Sequence, residues 1–417
     1  MSGQPLSVGV LHPTFESWGG AEWFIHGLLE TWSRTTTVRP VLYTYRWIDP
    51  PGGGAVYEIV THGHGGVLSG PRDWRAVGRR FRNRWQSHDV LFVHNHPAGQ
   101  WARNAEGSPP VVWYCHEPPR ALWDGGAFPR PRLSTVARIR ETIRGIHMLG
   151  VSRALPRLAG RLVLAFQRRT RGDARWKRFL QTRDMEAVAN TAAVIANSRY
   201  TAGRIAEIYG RDATVAYPLL PWFDSDLPTV REKRPVVLWV GRLAEEKRPS
   251  LVLDAWEKTV ARHARTRYRL VMVGDGPLRS EVENRIMPLV AAGKAEFHRN
   301  LPHEALLEFY RTALLTVHVA LREPFGLVPL ESMWNGTAVL AHCEGGVAET
   351  VIPGETGFCL DDASPTGLSR ALSDILSAPS EVTALGRRAA TAVRGRFRFA
   401  DTLETIETVL RRAAALR

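Results

Sequence analysis

The stretch Ala320-Leu321-Arg322-Glu323-Pro324-Phe325-Gly326-Leu327-Val328-Pro329-Leu330-Glu331 decides how the rest of the chain is read. The apolar run before it, Leu314 to Val319, is short and bounded, which predicts a buried strand. Pro324 and Gly326 then interrupt regular structure. A helical pattern follows from Leu327 to Trp334, with Pro329 tolerated in its first turn. The first amides of a helix have no internal partners and attract phosphate or polarised hydroxyls. Gly326 lets a ligand approach the backbone closely. Glu323 sets one carboxylate beside that anion site and Glu331 sets a second a turn into the helix. Such a layout suits a sugar nucleotide, with acids on hydroxyls and amides on diphosphate. On spacing alone, a solvated loop charge and a helix-face charge explain the two acids equally well.

Outward from that stretch, strands alternate with helices. Val236–Val240, Leu270–Val273 and Ala338–Ala341 read as strands, and Ser250 to about His263 as a helix. In the first half, Ser7–Leu11 (ending at His12-Pro13), Val38–Tyr45, Val56–Val60, Asp89–His94, Val111–Tyr114, Ala193–Ala196 and Val215–Tyr217 read as strands. The alternation predicts an α/β chain with parallel, doubly wound sheets. The 417 residues suggest two domains. The prolines and alternating charges of residues 218–234 mark the linker between domains 1–217 and 235–395, and a last helix, about 396–417, is expected to pack back on the first.

The composition, 44% hydrophobic and 23% charged, belongs to a globular chain with no run of eighteen apolar residues. No secretory signal is read at the start, and Cys115, Cys343 and Cys359 are too few and too scattered for a disulfide framework or a zinc site. A reducing cytoplasm fits, with a peripheral place on the inner face of the plasma membrane. The pairs His62/His64 and His94/His96 lack further ligands at a telling spacing, so no metal is expected. Of the net charge of +14, residues 1–217 contribute 13 and the rest 1. That excess favours an anionic partner for the first half: lipid, a phosphorylated acceptor or nucleic acid. Trp74, Val77, Phe81 and Trp85 share one helical face among arginines. An interfacial membrane helix and a surface helix packed on its own domain both fit. A second belt runs from Arg153 to Arg178 with no nucleic-acid recognition motif, so no specific nucleic acid is expected.

Glu323 and Glu331, with seven residues between them around Pro-Phe-Gly-Leu, resemble the paired-glutamate signature of retaining glycosyltransferases of family 4. Gly241-Arg242-Leu243 with Glu246-Lys247, the loop Gly19-Gly20-Ala21-Glu22 and the block Tyr114-Cys115-His116-Glu117-Pro118-Pro119-Arg120 extend the resemblance. The resemblance implies the GT-B fold, two Rossmann-like domains facing a cleft. It assigns catalysis to Glu323 and His116. Donor binding falls to Arg242, Lys247, Glu331, Phe325, Gly326, Leu327 and Gly20, and acceptor binding to Gly19, His96 and Arg120. The implied reaction is metal-independent transfer of a hexosyl group, mannosyl favoured, from GDP-mannose or a UDP-sugar to a lipid-linked or polysaccharide acceptor. A sugar-nucleotide 2-epimerase and a non-catalytic basic module binding membrane or nucleic acid are the rival readings.

Overall fold

The computed structural model describes residues 4–16, 18–50, 55–61, 71–96, 98–102, 108–124, 174–224, 231–263, 265–299 and 301–417. Two wholly parallel sheets organise it. The first contains β1 (Leu6–Phe15), β2 (Val38–Trp47), β3 (Glu58–Thr61), β4 (Val90–His94), β5 (Val111–Cys115), β6 (Ala193–Ala196) and β7 (Thr214–Val215). Their order is β3-β2-β1-β4-β5-β6-β7. The second contains β8 (Arg234–Val240), β9 (Arg269–Val273), β10 (Ala295–His298), β11 (Ala313–His318), β12 (Ala338–Ala341) and β13 (Phe358–Cys359), ordered β10-β9-β8-β11-β12-β13. In each sheet the order reverses beside the first strand, which opens a crevice at the carboxyl ends where ligands of such sheets sit.

β1 runs to Phe15, past the stop expected at His12-Pro13. Its pairing with β4 ends at Leu11↔Val93, and beyond that point only β2 accompanies it. Pro13 therefore lies on a local edge, where its missing N–H costs no ladder bond.

The helices that matter for the site are α1 (Gly20–Arg34), α2 (Pro71–Trp85), α3 (Arg199–Tyr209), α4 (Leu327–Trp334), α5 (Pro379–Arg396) and α6 (Phe399–Ala414). On α2, Val77, Phe81 and Trp85 are each about fully buried, packed with Tyr43, Leu91 and Trp101. That part of the aromatic face belongs to its own domain and is not offered to a membrane. The arginines at 153–171 lie outside the described residues.

The described first part of the connection between the sheets is packed: Leu219, Leu220 and Phe223 are buried. Asp224 accepts hydrogen bonds from the Phe399 and Ala400 amides, 2.8 Å each, and so caps α6. α6 then buries Ile406, Val409, Leu410 and Ala413 in the cluster that contains Phe92, Val112 and Ile195 of the first sheet.

Cys343 and Cys359 form a disulfide, which corrects the expectation of unpaired, scattered thiols. The pairing Ala341↔Cys359 between β12 and β13 draws the chain after β12 alongside β13, closing sixteen residues of separation to 5.4 Å between Cα atoms. Cys115 stays a buried free thiol. Among the described residues, no helix is long and apolar enough to cross a membrane.

Candidate active site

β11 ends at His318, and the chain then turns through Arg322, which adopts a left-handed φ of 45°. Gly326, at φ 93°, is the N-cap of α4 and supplies no side-chain cap to its amides. Those amides are the anion-attracting groups expected from the sequence. The loop is held from behind by a second one. The Gly346 amide donates to the Glu323 carbonyl at 2.7 Å, and Gly345 has φ 69°. A Cβ on Gly345 would lie 2.6 Å from that same carbonyl oxygen, so the glycines permit a close backbone approach that any side chain would block.

Lys247 comes from the short turn Glu245–Lys247 after β8. Because β8 lies next to β11, its Nζ reaches Glu323 Oε2 at 2.5 Å. His318 Nε2 is 3.8 Å from the same oxygen. Burial raises the Glu323 pKa, but Lys247, His318 and Arg120 outweigh it, and the carboxyl ends below its ordinary value. Burial pushes His318 down to about 4, against the pull of Glu323, so that imidazole is neutral at physiological pH. Glu331 accepts a hydrogen bond from Tyr310 Oη at 2.9 Å. Burial raises its pKa to about 7, and the Tyr310 bond offsets part of the rise.

Arg242 behaves differently from Lys247. It is 66% exposed and paired with Glu246 at 2.5 Å. Phe325 has its ring in the core, stacked on Tyr217 at 5.1 Å, which leaves its backbone amide as the group that could meet a ligand. Gly20 and Leu327 face each other across the two domains, and a Cβ on Gly20 would lie 2.9 Å from Leu327 Cδ1. Gly19 donates its amide to Glu22 Oε2 at 3.0 Å at the start of α1.

On the first domain, His116 follows β5 and its Nε2 lies 3.0 Å from His94 Nδ1. Asn197 Nδ2 holds the His116 carbonyl at 2.7 Å. Arg120 bonds Glu117 and donates to the Arg322 carbonyl of the other domain at 2.9 Å. Burial, with Glu323 and Asp124, pushes Glu117 up to about 7 against the Arg120 charge. His96 is not brought to His116. It meets the buried Asp184 at 3.2 Å, in a small pocket that includes Val93 and Trp113 on the other face of the sheet. Asp184 also accepts from Trp123 Nε1 and Tyr209 Oη.

Four residues escaped the sequence reading. Tyr310 and His318 support the two glutamates. Ser198 Oγ donates to the Pro324 carbonyl at 2.5 Å, and Glu349 accepts from the Arg199 and Tyr200 amides. Only Ser198 carried a signal, as a helix cap. Among the described residues, no group of three or more His, Cys, Asp or Glu could hold a metal ion.

Two parallel-sheet α/β domains meeting at the carboxyl ends of their strands define the GT-B class. Solved structures agree on that fold. Anabaena HepE in complex with UDP and glucose superposes with TM-score 0.67 at 16% identity, covering 98% of this chain and 100% of that one. Sucrose-phosphate synthase from Thermosynechococcus elongatus gives 0.69 at 17%, covering 99% and 100%. Residues 223–392 match the family Glycosyl transferases group 1, so the second domain belongs to that family and the resemblance read from the sequence holds there. Among curated relatives, the D-inositol 3-phosphate glycosyltransferase of Acidothermus cellulolyticus is 31% identical over 254 residues, 56% of each chain. The GDP-mannose-dependent alpha-(1-6)-phosphatidylinositol monomannoside mannosyltransferase of Mycolicibacterium smegmatis is 29% identical over 223 residues, 48% of this chain and 58% of that one. The chain thus spans a little over half the length of the curated relatives it matches.

Proposed function

We propose that the chain is a retaining glycosyltransferase that moves a hexosyl group, mannosyl in our reading, from a nucleotide-diphosphate sugar to a lipid-linked or polysaccharide acceptor without a divalent metal. The observation that carries this reading is the Lys247–Glu323 pair, 2.5 Å apart, beside the uncapped start of α4. Residues 235–395 are the donor side, residues 1–217 the acceptor side, 218–234 the link, and 396–417 the return to the first domain.

When the anomeric carbon–phosphate bond breaks, negative charge gathers on the diphosphate and positive charge on the sugar. A fixed ammonium and backbone amides stabilise the first, and a carboxylate the second, more strongly in a cleft than in water. Lys247 and the amides of Phe325, Gly326 and Leu327 take the first role, with Arg242 joining once it leaves Glu246. Glu323 takes the second, and Glu331 accepts from the ribose hydroxyls. The acceptor oxygen bonds the anomeric carbon, and its proton passes to the departing phosphate. No ion is needed where Lys247 supplies the charge. The mannosyl preference draws on the mycobacterial relative named as GDP-mannose-dependent, whereas the Anabaena complex holds UDP. The arginine excess of residues 1–217 suits peripheral contact with an anionic membrane on its cytoplasmic face.

The test is a panel of sugar nucleotides, followed by heat protection and by nucleotide release with and without chelator. One protective nucleotide at about a hundred times its Kd should add roughly 2.7 kcal/mol of stability. Protection by none of them, or turnover that needs manganese, would overturn the reading. Release of a free monosaccharide isomer without acceptor would favour the epimerase instead.

A further inference from the structure

His94 is the last residue of β4 and His116 follows β5, the adjacent strand. Their rings share one hydrogen bond, Nδ1 of His94 to Nε2 of His116, at 3.0 Å. His94 is fully buried, stacked against Tyr114 at 5.4 Å, and its Nε2 is buried without a partner. His116 is only half-buried, so its Nδ1 is the ring nitrogen left for the cleft.

One proton lies between the two rings, and the orphan nitrogen says whose it is. If His116 donated, neutral His94 would carry its own proton on Nε2, as a buried N–H with nothing to accept it. If His94 donates, Nε2 keeps only an unfilled lone pair. Buried orphan N–H groups are rarer in folded proteins than under-satisfied acceptors. Glu22 does not compete for His116: its two oxygens are taken by His12 Nε2 at 3.1 Å and the Gly19 amide at 3.0 Å.

We propose that His94 is a positioning residue whose Nδ1–H fixes His116 as the neutral Nδ1–H tautomer. His116 then donates a hydrogen bond to an oxygen of the sugar or acceptor and does not take the acceptor's proton. Burial also keeps both rings uncharged, with the His12 ring adding to it, and His116 is driven down to about 3 against the pull of Glu22. The functional half of this proposal rests on the glycosyl-transfer reading and explains why the proton must leave on the phosphate. The tautomer half stands without it.

The experiment is a long-range proton–nitrogen correlation spectrum of the full-length, nitrogen-15-labelled chain, with His116 assigned by its loss in His116→Gln. The expected His116 pattern has the proton on Nδ1 and is unchanged between about pH 6 and 8. His94→Phe should mix the tautomers and lower kcat about 10-fold with little change in donor KM. His94→Asn, whose amide N–H can donate from the same place, should restore both. A proton on Nε2 in the unmodified chain overturns the proposal, whatever the variants do. So does an unchanged tautomer in His94→Phe. The expected tautomer in a chain that transfers no sugar would sink the proposed function alone.

Discussion

Lys247 Nζ lies 2.5 Å from Glu323 Oε2, so the site's cation and its acid neutralise one another before any donor arrives. Both side chains are mostly buried, 24% and 14% exposed. Removing one partner strands the other's charge in a poor solvent, whereas removing both does not.

Lys247→Met should therefore destabilise the fold by roughly 3–5 kcal/mol, and the double variant Lys247→Met/Glu323→Gln by clearly less. Urea unfolding of the two variants checks this. Each single variant should also lose about 100- to 1000-fold in kcat, the cost of deleting one group aimed at developing charge. A double variant less stable than the lysine variant would show that the pair is not a buried ion pair at all.

Donor affinity should tighten as pH rises through about 7, because Glu331 is protonated below that point and accepts both ribose hydroxyls poorly. The stability effect has the opposite sign. A carboxyl raised by folding binds more protons folded than unfolded, so its contribution is full below about 4.5 and is lost as pH climbs through about 7. Tyr310→Phe removes the bond that holds the pKa down, so the midpoint for nucleotide binding should move up. Calorimetric titration of the nucleotide against pH decides it; a downward move contradicts the assignment.

Gly346→Ala would drive a Cβ into the Pro324 carbonyl and displace the Glu323 loop. Gly354 has φ 75° but open space around it. Gly354→Ala should thus cost about 1 kcal/mol of stability and leave kcat alone. Gly346→Ala should lower kcat/KM at least about 10-fold beyond any stability loss, since a 1 Å misplacement can cost 100-fold. Equal kinetics in the two variants would deny the close approach its purpose.

Glu349 of the second domain caps α3 of the first, accepting from the Arg199 and Tyr200 amides at 3.1 and 2.9 Å and from Tyr217 Oη at 3.2 Å. Glu349→Ala should lose about 1 kcal/mol, the worth of a helix cap, and release one strap across the cleft. Small-angle scattering should record a larger radius of gyration for the variant. An unchanged radius would mean that Ser198 to Pro324 and Arg120 to Arg322 hold the domains without it.

Much of the fold around the candidate site is legible in the sequence. Helix Leu327–Trp334 and strands Ala193–Ala196 and Ala338–Ala341 begin and end where the pattern places them. Their signals are proline, glycine and apolar runs within a few residues of each other. The Arg242–Glu246 pair is of the same local kind, opposite charges four residues apart. The Cys343–Cys359 bond and the partners of His94, Tyr310 and Glu349 were not readable, since each joins segments that only sheet order brings together.

From the sequence alone came most of the strands, the ends of those beside the Glu323 loop, and the polar residues waiting there, because period and turn chemistry act over a few neighbouring residues; β1 runs past its expected end and β13 is not read at all. Which acid Lys247 would meet, and which imidazole His116 would lean on, waited for the tertiary structure. Those choices follow from β8 lying beside β11 and β4 beside β5. That order is fixed by burying apolar faces far apart in the chain, a sum that no local window contains.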